Sequence, residues 1–315
     1  MQDNGKSKSR WIITIALAAI AIVPAFSSGY FIGYASVPEK PAVTLVDDYG
    51  RSIILNGFPE KIISVAPTPT EIIFAVGAGN LLVGVDTFSD YPSDAQNITK
   101  VGDFVVSYNI EKIVSLDPDI IISSDLVPQD ALDTLLLEHG IPYMILAART
   151  IDDIYKDIRL VGSITNHSLE ANSLVDSMKS RVDAVTSLTL AENVSKPSVY
   201  IEYWPMWTFG MGSFGDDLIR LAGGENIAGN ETKEYLAVTG EFVLTHDPEI
   251  IIYTVGATTT TTKDEISLRP GWDQIDAVMN DKIYAIDDNL ISRYGPRLID
   301  GLEELAELIH PELFD

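Results

Sequence analysis

The most constraining feature of this chain is a stretch that occurs twice. Glu111, five further residues and then Asp117-Pro118-Asp119-Ile120-Ile121-Ile122 return as Glu241, five residues and Asp247-Pro248-Glu249-Ile250-Ile251-Ile252. Each copy reads as a short helix halted by Asp-Pro, followed by an apolar β-branched run suited to a buried strand. A second correspondence precedes the first in each half. The run 62–66 leads to a helix ending Gly77-Ala78-Gly79, and the run 198–202 leads to one ending Ala222-Gly223-Gly224. Two matches in the same order point to a duplicated unit. Its strand runs are continuously apolar and alternate with helices, so each unit is read as a parallel sheet covered on both faces. The expected fold is therefore α/β, with two similar parallel-sheet lobes at 58–147 and 196–315.

Residues 148–195 read as helical, with Val175, Met178, Val182 and Val185 at the spacing of one buried face. A long bridging helix of this kind is a stiff strut, which argues against large hinge closure. The segment Pro296 to Ile309 makes another amphipathic helix and closes the second lobe. Ahead of the first lobe, 39–57 reads as a linker and a β-hairpin, Thr44–Val46 with Ser52–Leu55, turning at Gly50. Within the first lobe, Thr68 and Glu71 fit a capping box, Pro69 suits the first helical turn, and Gly77 or Gly79 closes the helix in a left-handed conformation. Thr258 to Thr262 reads as a surface loop.

The N-terminus is of another kind. Lys6, Lys8 and Arg10 are followed by no charge until Glu39. As a helix, Trp11 to Ala35 would span about 37 Å, enough for a bilayer core of about 30 Å. Residues 1–38 are thus expected to be a basic cytoplasmic tail and an uncleaved transmembrane anchor, with everything after them outside the cell. A cleaved signal peptide is the alternative. Four Asn-x-Ser/Thr sequons, at Asn97, Asn166, Asn193 and Asn230, are compatible with that location. The absence of cysteine excludes disulfides, thiolate metal sites, cysteine nucleophiles and a lipid-bearing cysteine. A formal charge of −25 argues against nucleic acid as a partner.

No catalytic signature is present. The four histidines are scattered without metal spacing, and there is no phosphate-binding loop, nucleophile elbow or His-Glu-x-x-His. The chain is read as a non-enzyme without cofactor or metal. What stands out is aromatic: Phe88, Tyr91, Phe104, Tyr108, Tyr203, Trp204, Trp207, Phe209 and Tyr235 mostly follow predicted strands. Loops at the carboxyl ends of strands line the crevice of an open α/β sheet. Core packing is the ordinary fate of any one of these rings. The run Tyr203-Trp204-Pro205-Met206-Trp207, however, cannot bury all its large side chains. A flat or greasy ligand with a few polar groups suits such a cleft.

The stretch KIISVAPTPTEIIFAVGAGNLLVGVDTFSDYP followed by NIEKIVSLDPDIIISS resembles the first lobe of ABC-importer substrate-binding proteins, in the branch carrying cobalamin, ferric siderophores and haem. The resemblance runs from about Lys61 to Pro311; the Asp-x-x-Gly-Arg hairpin and GPRLIDGLEELAELIHPE fit it too. It implies an extracytoplasmic component that binds a corrinoid or ferric chelate and delivers it to a permease with its ATPase. Haem is the alternative ligand, and an enzyme of chelatase-like fold or a surface sensor the alternative class. By resemblance, Phe88, Phe104 and Tyr235 contact the ligand, with Trp204 and Trp207 on the facing lobe; Tyr108 and Tyr203 join the expected ligand-binding set from the aromatic cluster at the strand ends. Arg293 falls where relatives place an arginine near the ligand; a surface salt bridge is its other reading. Glu111 and Glu241, one per lobe, fall where relatives dock on permease arginines; the alternative is an ordinary first-turn acid. Trp272 belongs to a packing motif. The scarcity of arginine near the cleft favours corrinoids or hydroxamate chelates over strongly anionic siderophores.

Overall fold

The computed structural model describes residues 42–314 except 104, 106, 257, 258 and 260. The expected anchor, Phe104 and part of the threonine run lie outside the described residues. Among the described residues, no helix is long and apolar enough to cross a membrane.

The isoleucine runs form the cores of two four-stranded parallel sheets. In the first the strands lie in the order Leu82–Val85, Ile62–Ser64, Ile120–Ser124 and Tyr143–Leu146. In the second the order is Ile283–Asp287, Ile250–Val255, Ser198–Glu202 and Glu225–Asn226. The duplicated strands are central neighbours in both, paired Ile62 with Ile120 and Val199 with Ile250. Every residue of Ile120–Ser124 is buried, as two covered faces require.

The repeat extends to the helix ends. Asn109 accepts from the Lys112 amide at the start of Ile110–Leu116, and Thr239 accepts from the Phe242 amide at the start of Gly240–His246. Both helices stop on an aspartate in the left-handed region, Asp117 at φ 53° and Asp247 at φ 41°. Likewise Gly77 (φ 87°) and Gly223 (φ 85°) follow the C-caps of the Pro67–Ala75 and Phe214–Leu221 helices, where a side chain would be strained. Gly77, not Gly79, therefore closes the first helix.

The capping box is corrected. The helix begins at Pro67, with Ala66 as an extended N-cap and no side-chain cap. Pro67 and Pro69 lack the N–H groups that a cap would satisfy, so Glu71 is released for another partner.

Residues 148–195 hold two helices, Ile151–Ile164 and the 22-residue Ser168–Thr189. Val175, Met178 and Val185 are buried along the second, with Val182 partly so. Arg181 fixes it to the last helix, Leu298–Ile309, through Glu303 at 2.8 Å and Asp300 at 2.5 Å. One apolar core includes residues of both sheets and both of these helices. At the other edge, the hairpin Val43–Val46 and Ser52–Leu55 turns at Gly50 (φ 73°). Its Asp47 carboxylate accepts from the Tyr49 and Arg51 amides and from Ile145 N of the first sheet. Trp272 is buried edge-on to Tyr200, in keeping with a packing role.

Candidate functional site

Loops at strand carboxyl ends have no sheet partner and are left to build surfaces. Here they enclose a cavity of about 250 Å³ between the lobes. The first lobe contributes Thr68 from its first helix, Ser124, Asp125 and Leu126 after one strand, and Leu146, Ala148 and Arg149 after the next. Asp157, on the Ile151–Ile164 helix, completes that side; Tyr235, Ser292 and Tyr294 of the second lobe form the opposite wall. The two tyrosine hydroxyls bond to each other. Burial raises both phenols above their ordinary range, so both stay protonated. Tyr294 is stacked on Phe214 with ring centroids 3.9 Å apart.

The first-lobe side is polar. Arg149 is bound to Asp125 at 2.7 Å. Ser124 Oγ and both carboxyl oxygens of Asp157 are buried without a hydrogen-bond donor or acceptor partner of their own. Burial, followed by the Asp48 carboxylate beside it, pushes the Asp157 carboxyl up to about 9, so it is neutral at pH 7. Among the described residues no group of three or more histidine, cysteine or acidic side chains is placed to hold a metal.

Beside the cavity the lobes are joined by charge. Glu71 on the first helix receives Arg297 Nε at 2.9 Å, Arg297 Nη2 at 2.7 Å and Arg293 Nη1 at 3.0 Å. Arg293 also donates to Asp90 at 2.7 Å, and Arg297 lies over the Tyr91 ring at 3.9 Å. The Glu71 side chain is 2% exposed, and those of Arg293 and Arg297 are 12% and 14%. Thr70, next to Glu71, bonds Ser64 and Ser89 at 2.7 Å each, which pins this helix to the strand ends.

The structure sorts the expected site residues. Tyr235 forms the cavity wall, backed by Tyr203, which stands edge-on to it at 5.8 Å and is stacked on buried Phe209 at 4.7 Å. Trp204 and Trp207 bracket a tight turn closed by the Trp207 amide on the Trp204 carbonyl at 2.7 Å, with Met206 at φ 60°. They are 46% and 39% exposed and stand outside the cavity lining. Phe88 is exposed beyond the Leu82–Val85 strand, with its carbonyl 3.5 Å from Arg293 Nη2. Tyr108 donates to the Val65 carbonyl at 2.7 Å and so braces a strand end. Arg293 makes a buried ion pair between lobes instead of presenting its charge to the cavity, and Glu71 is its partner instead of a cap. Glu111 and Glu241 are exposed in the first turns of the two equivalent helices.

Sequence reasoning missed Tyr294, Ser124 and Asp157. Asp157 did leave a signal: it lies between Ile154, Ile158 and Val161 on the buried face of an amphipathic helix.

Comparison with known proteins follows the same lines. A family described as periplasmic binding protein matches residues 62–290. An uncharacterized ABC transporter substrate-binding lipoprotein, YvrC of Bacillus subtilis, is 32% identical over 280 residues, 86% of this chain and 87% of that protein. The cobalamin-binding protein of Halobacterium salinarum is 25% identical over 315 residues, covering 94% of this chain and 84% of its own. Among solved structures, the periplasmic vitamin B12 binding protein of Vibrio cholerae superposes with a TM-score of 0.68 at 26% identity, covering 80% of this chain and 97% of that one.

Proposed function

The chain belongs to the periplasmic binding protein family and is the substrate-binding component of an ABC importer, not an enzyme; from that premise we propose that it captures a corrinoid or a ferric-siderophore chelate. The observation that carries this reading is the cavity between the carboxyl ends of the strands, polar on one side and walled by Tyr235 and Tyr294 on the other. Its volume, about 250 Å³, matches a rim group of a large chelate better than the whole of one. The remainder of the ligand then lies over the open face of the cleft, with the exposed Trp204–Trp207 turn as its proposed contact. Arginines 293 and 297 are held by Glu71, so a strongly anionic ligand finds little charge to meet. Haem, with its carboxylates, is the second reading.

In this account Glu111 and Glu241 project from equivalent helices to meet the permease, and the N-terminal apolar segment tethers the body to the outer face of the membrane. Equilibrium dialysis of the full chain against cyanocobalamin, ferrichrome and haem tests the ligand. Micromolar or tighter binding of one chelate supports the reading, and retention of none of them refutes it. Protease added to intact cells tests the topology: the body should be shaved off, and protection until lysis would count against the tether.

A further inference from the structure

A buried oxygen with no partner is costly, and three of them belong to residues that line this cavity. Ser124 ends a central strand of the first sheet, and Asp157 is buried on the adjoining helix; Ser124 Oγ and both Asp157 oxygens lack partners. We propose that Ser124 and Asp157 form a subsite for a neutral hydrogen-bond donor on the ligand's rim, a primary carboxamide or a hydroxyl, and that the subsite disfavours a carboxylate. The inference rests on the reading of the cleft as a chelate site and names which chelates it takes.

The donor preference follows from what surrounds Asp157. Asp48 sits against it from the hairpin turn, held in place by the Ala147 amide at 2.6 Å. Asp153 and Lys156 act on it from its own helix, and Asp125 and Arg149 share the cavity with it. The neighbouring Asp48 carboxylate draws the proton of the neutral Asp157 carboxyl to its own side without accepting a hydrogen bond from it, which leaves the second oxygen as an acceptor. Ser124 adds a hydroxyl that both accepts and donates. A carboxamide satisfies these groups with its two N–H donors and its carbonyl. A carboxylate offers only acceptors and brings a negative charge beside Asp48 and Asp125. The lining cation, Arg149, is already bound to Asp125, so that charge gains no counterion.

The test uses the full chain, purified in detergent, with cyanocobalamin, cyanocobalamin monocarboxylic acids, ferrichrome and haem as probes. A neutral chelate should bind at least about tenfold more tightly than its carboxylated counterpart or haem, the size expected when a buried polar group loses its partner. The double change Ser124→Ala with Asp157→Leu should cost the neutral chelate about tenfold and narrow the gap. Asp157→Asn keeps an acceptor toward the cavity and should bind within about threefold of the parent. Where the double variant fails to fold, Ser124→Ala alone and Asp157→Asn carry the comparison. Equal affinity for amide and acid forms, or unchanged binding of the neutral chelate by the double variant (by Ser124→Ala where the double variant does not fold), overturns the subsite and leaves the importer reading intact. Failure of every chelate to bind overturns both.

Discussion

Replacing Glu71 by alanine removes the one carboxylate that two guanidinium groups share across the lobes. Glu71, Asp90, Arg293 and Arg297 together carry no net charge; without Glu71 the cluster holds one uncompensated positive charge. Arg293 keeps Asp90 at 2.7 Å, but that carboxylate is 57% exposed and screened. Arg297, 14% exposed, keeps only the face of Tyr91 at 3.9 Å. Such a cation–π contact returns about 0.5–2 kcal/mol. Breaking a buried ion pair by deleting one partner costs about 3–5 kcal/mol. With Arg293 partly served by Asp90, the lower end applies, about 3 kcal/mol. Urea unfolding followed by circular dichroism measures this loss as a shift of midpoint at constant slope. Arg297→Ala should cost less than Glu71→Ala, because Glu71 then keeps Arg293. The double variant should fall short of the sum by about 1 kcal/mol or more, the signature of coupled neighbours. A loss below about 1 kcal/mol for Glu71→Ala would place the pair among ordinary surface bridges and refute the reasoning.

The native Asp157 carboxyl titrates above its unfolded value, so the folded state binds this proton more tightly. Its contribution to stability is greatest below the unfolded pKa and is lost as pH rises toward about 9, at up to about 1.4 kcal/mol per pH unit. Asp157→Asn should therefore stabilise the chain more at pH 8 than at pH 5, and an equal effect at both would contradict the assignment. Gly77→Ala meets only the His167 ring at 3.6 Å, so its expected cost of about 1–2 kcal/mol comes from the left-handed backbone and is read in the same unfolding assay. Changing Trp204 and Trp207 together to alanine should weaken chelate binding by about 1–3 kcal/mol, measured by calorimetry; unchanged affinity would confine the ligand to the tyrosine wall. Glu111→Ala with Glu241→Ala should leave chelate binding intact and abolish uptake in cells, since exposed charge pairs set docking specificity more than folding; wild-type uptake would remove the docking role.

The scaffold was legible because its signals are local. Isoleucine runs, Asp-Pro stops and paired glycines each specify backbone within a few residues, and the duplication doubled every one of them. The cleft was legible only where bulk forced side chains outward. The Tyr203–Trp207 run announced a surface turn but not its distance from the cavity, since that is set by the pairing of Trp207–Phe209 with Tyr235–Ala237, strands separated in sequence by the Phe214–Leu221 helix. The ion pair was illegible for a sharper reason. Glu71 and Arg297 are 226 positions apart, and the local pattern Thr68-x-x-Glu71 offered a plausible partner first. That local reading failed because Pro67 started the helix two positions earlier than a Thr68 cap allows. Asp157 lay in the apolar stripe of its helix in plain view, yet a carboxylate there acquires meaning only once the cavity beside it is known.

A duplicated scaffold with unlike walls explains how one chain can hold a large ligand in a single orientation. The equivalent strands 62–64 and 198–202 end in different continuations. The first enters a helix whose Glu71 faces the other lobe; the second enters the Trp204–Trp207 turn and the strand that pairs with Tyr235. One half thereby supplies hydrogen-bonding groups and the other supplies rings, so a ligand rotated end for end loses both kinds of contact. The Glu71 bridge and the Ser168–Thr189 helix then hold the two walls at a set separation. A cleft fixed before the ligand arrives spends little of its binding free energy on ordering itself. Selection among chelates therefore falls to what the walls offer, which gives the unpartnered oxygens of Ser124 and Asp157 their weight.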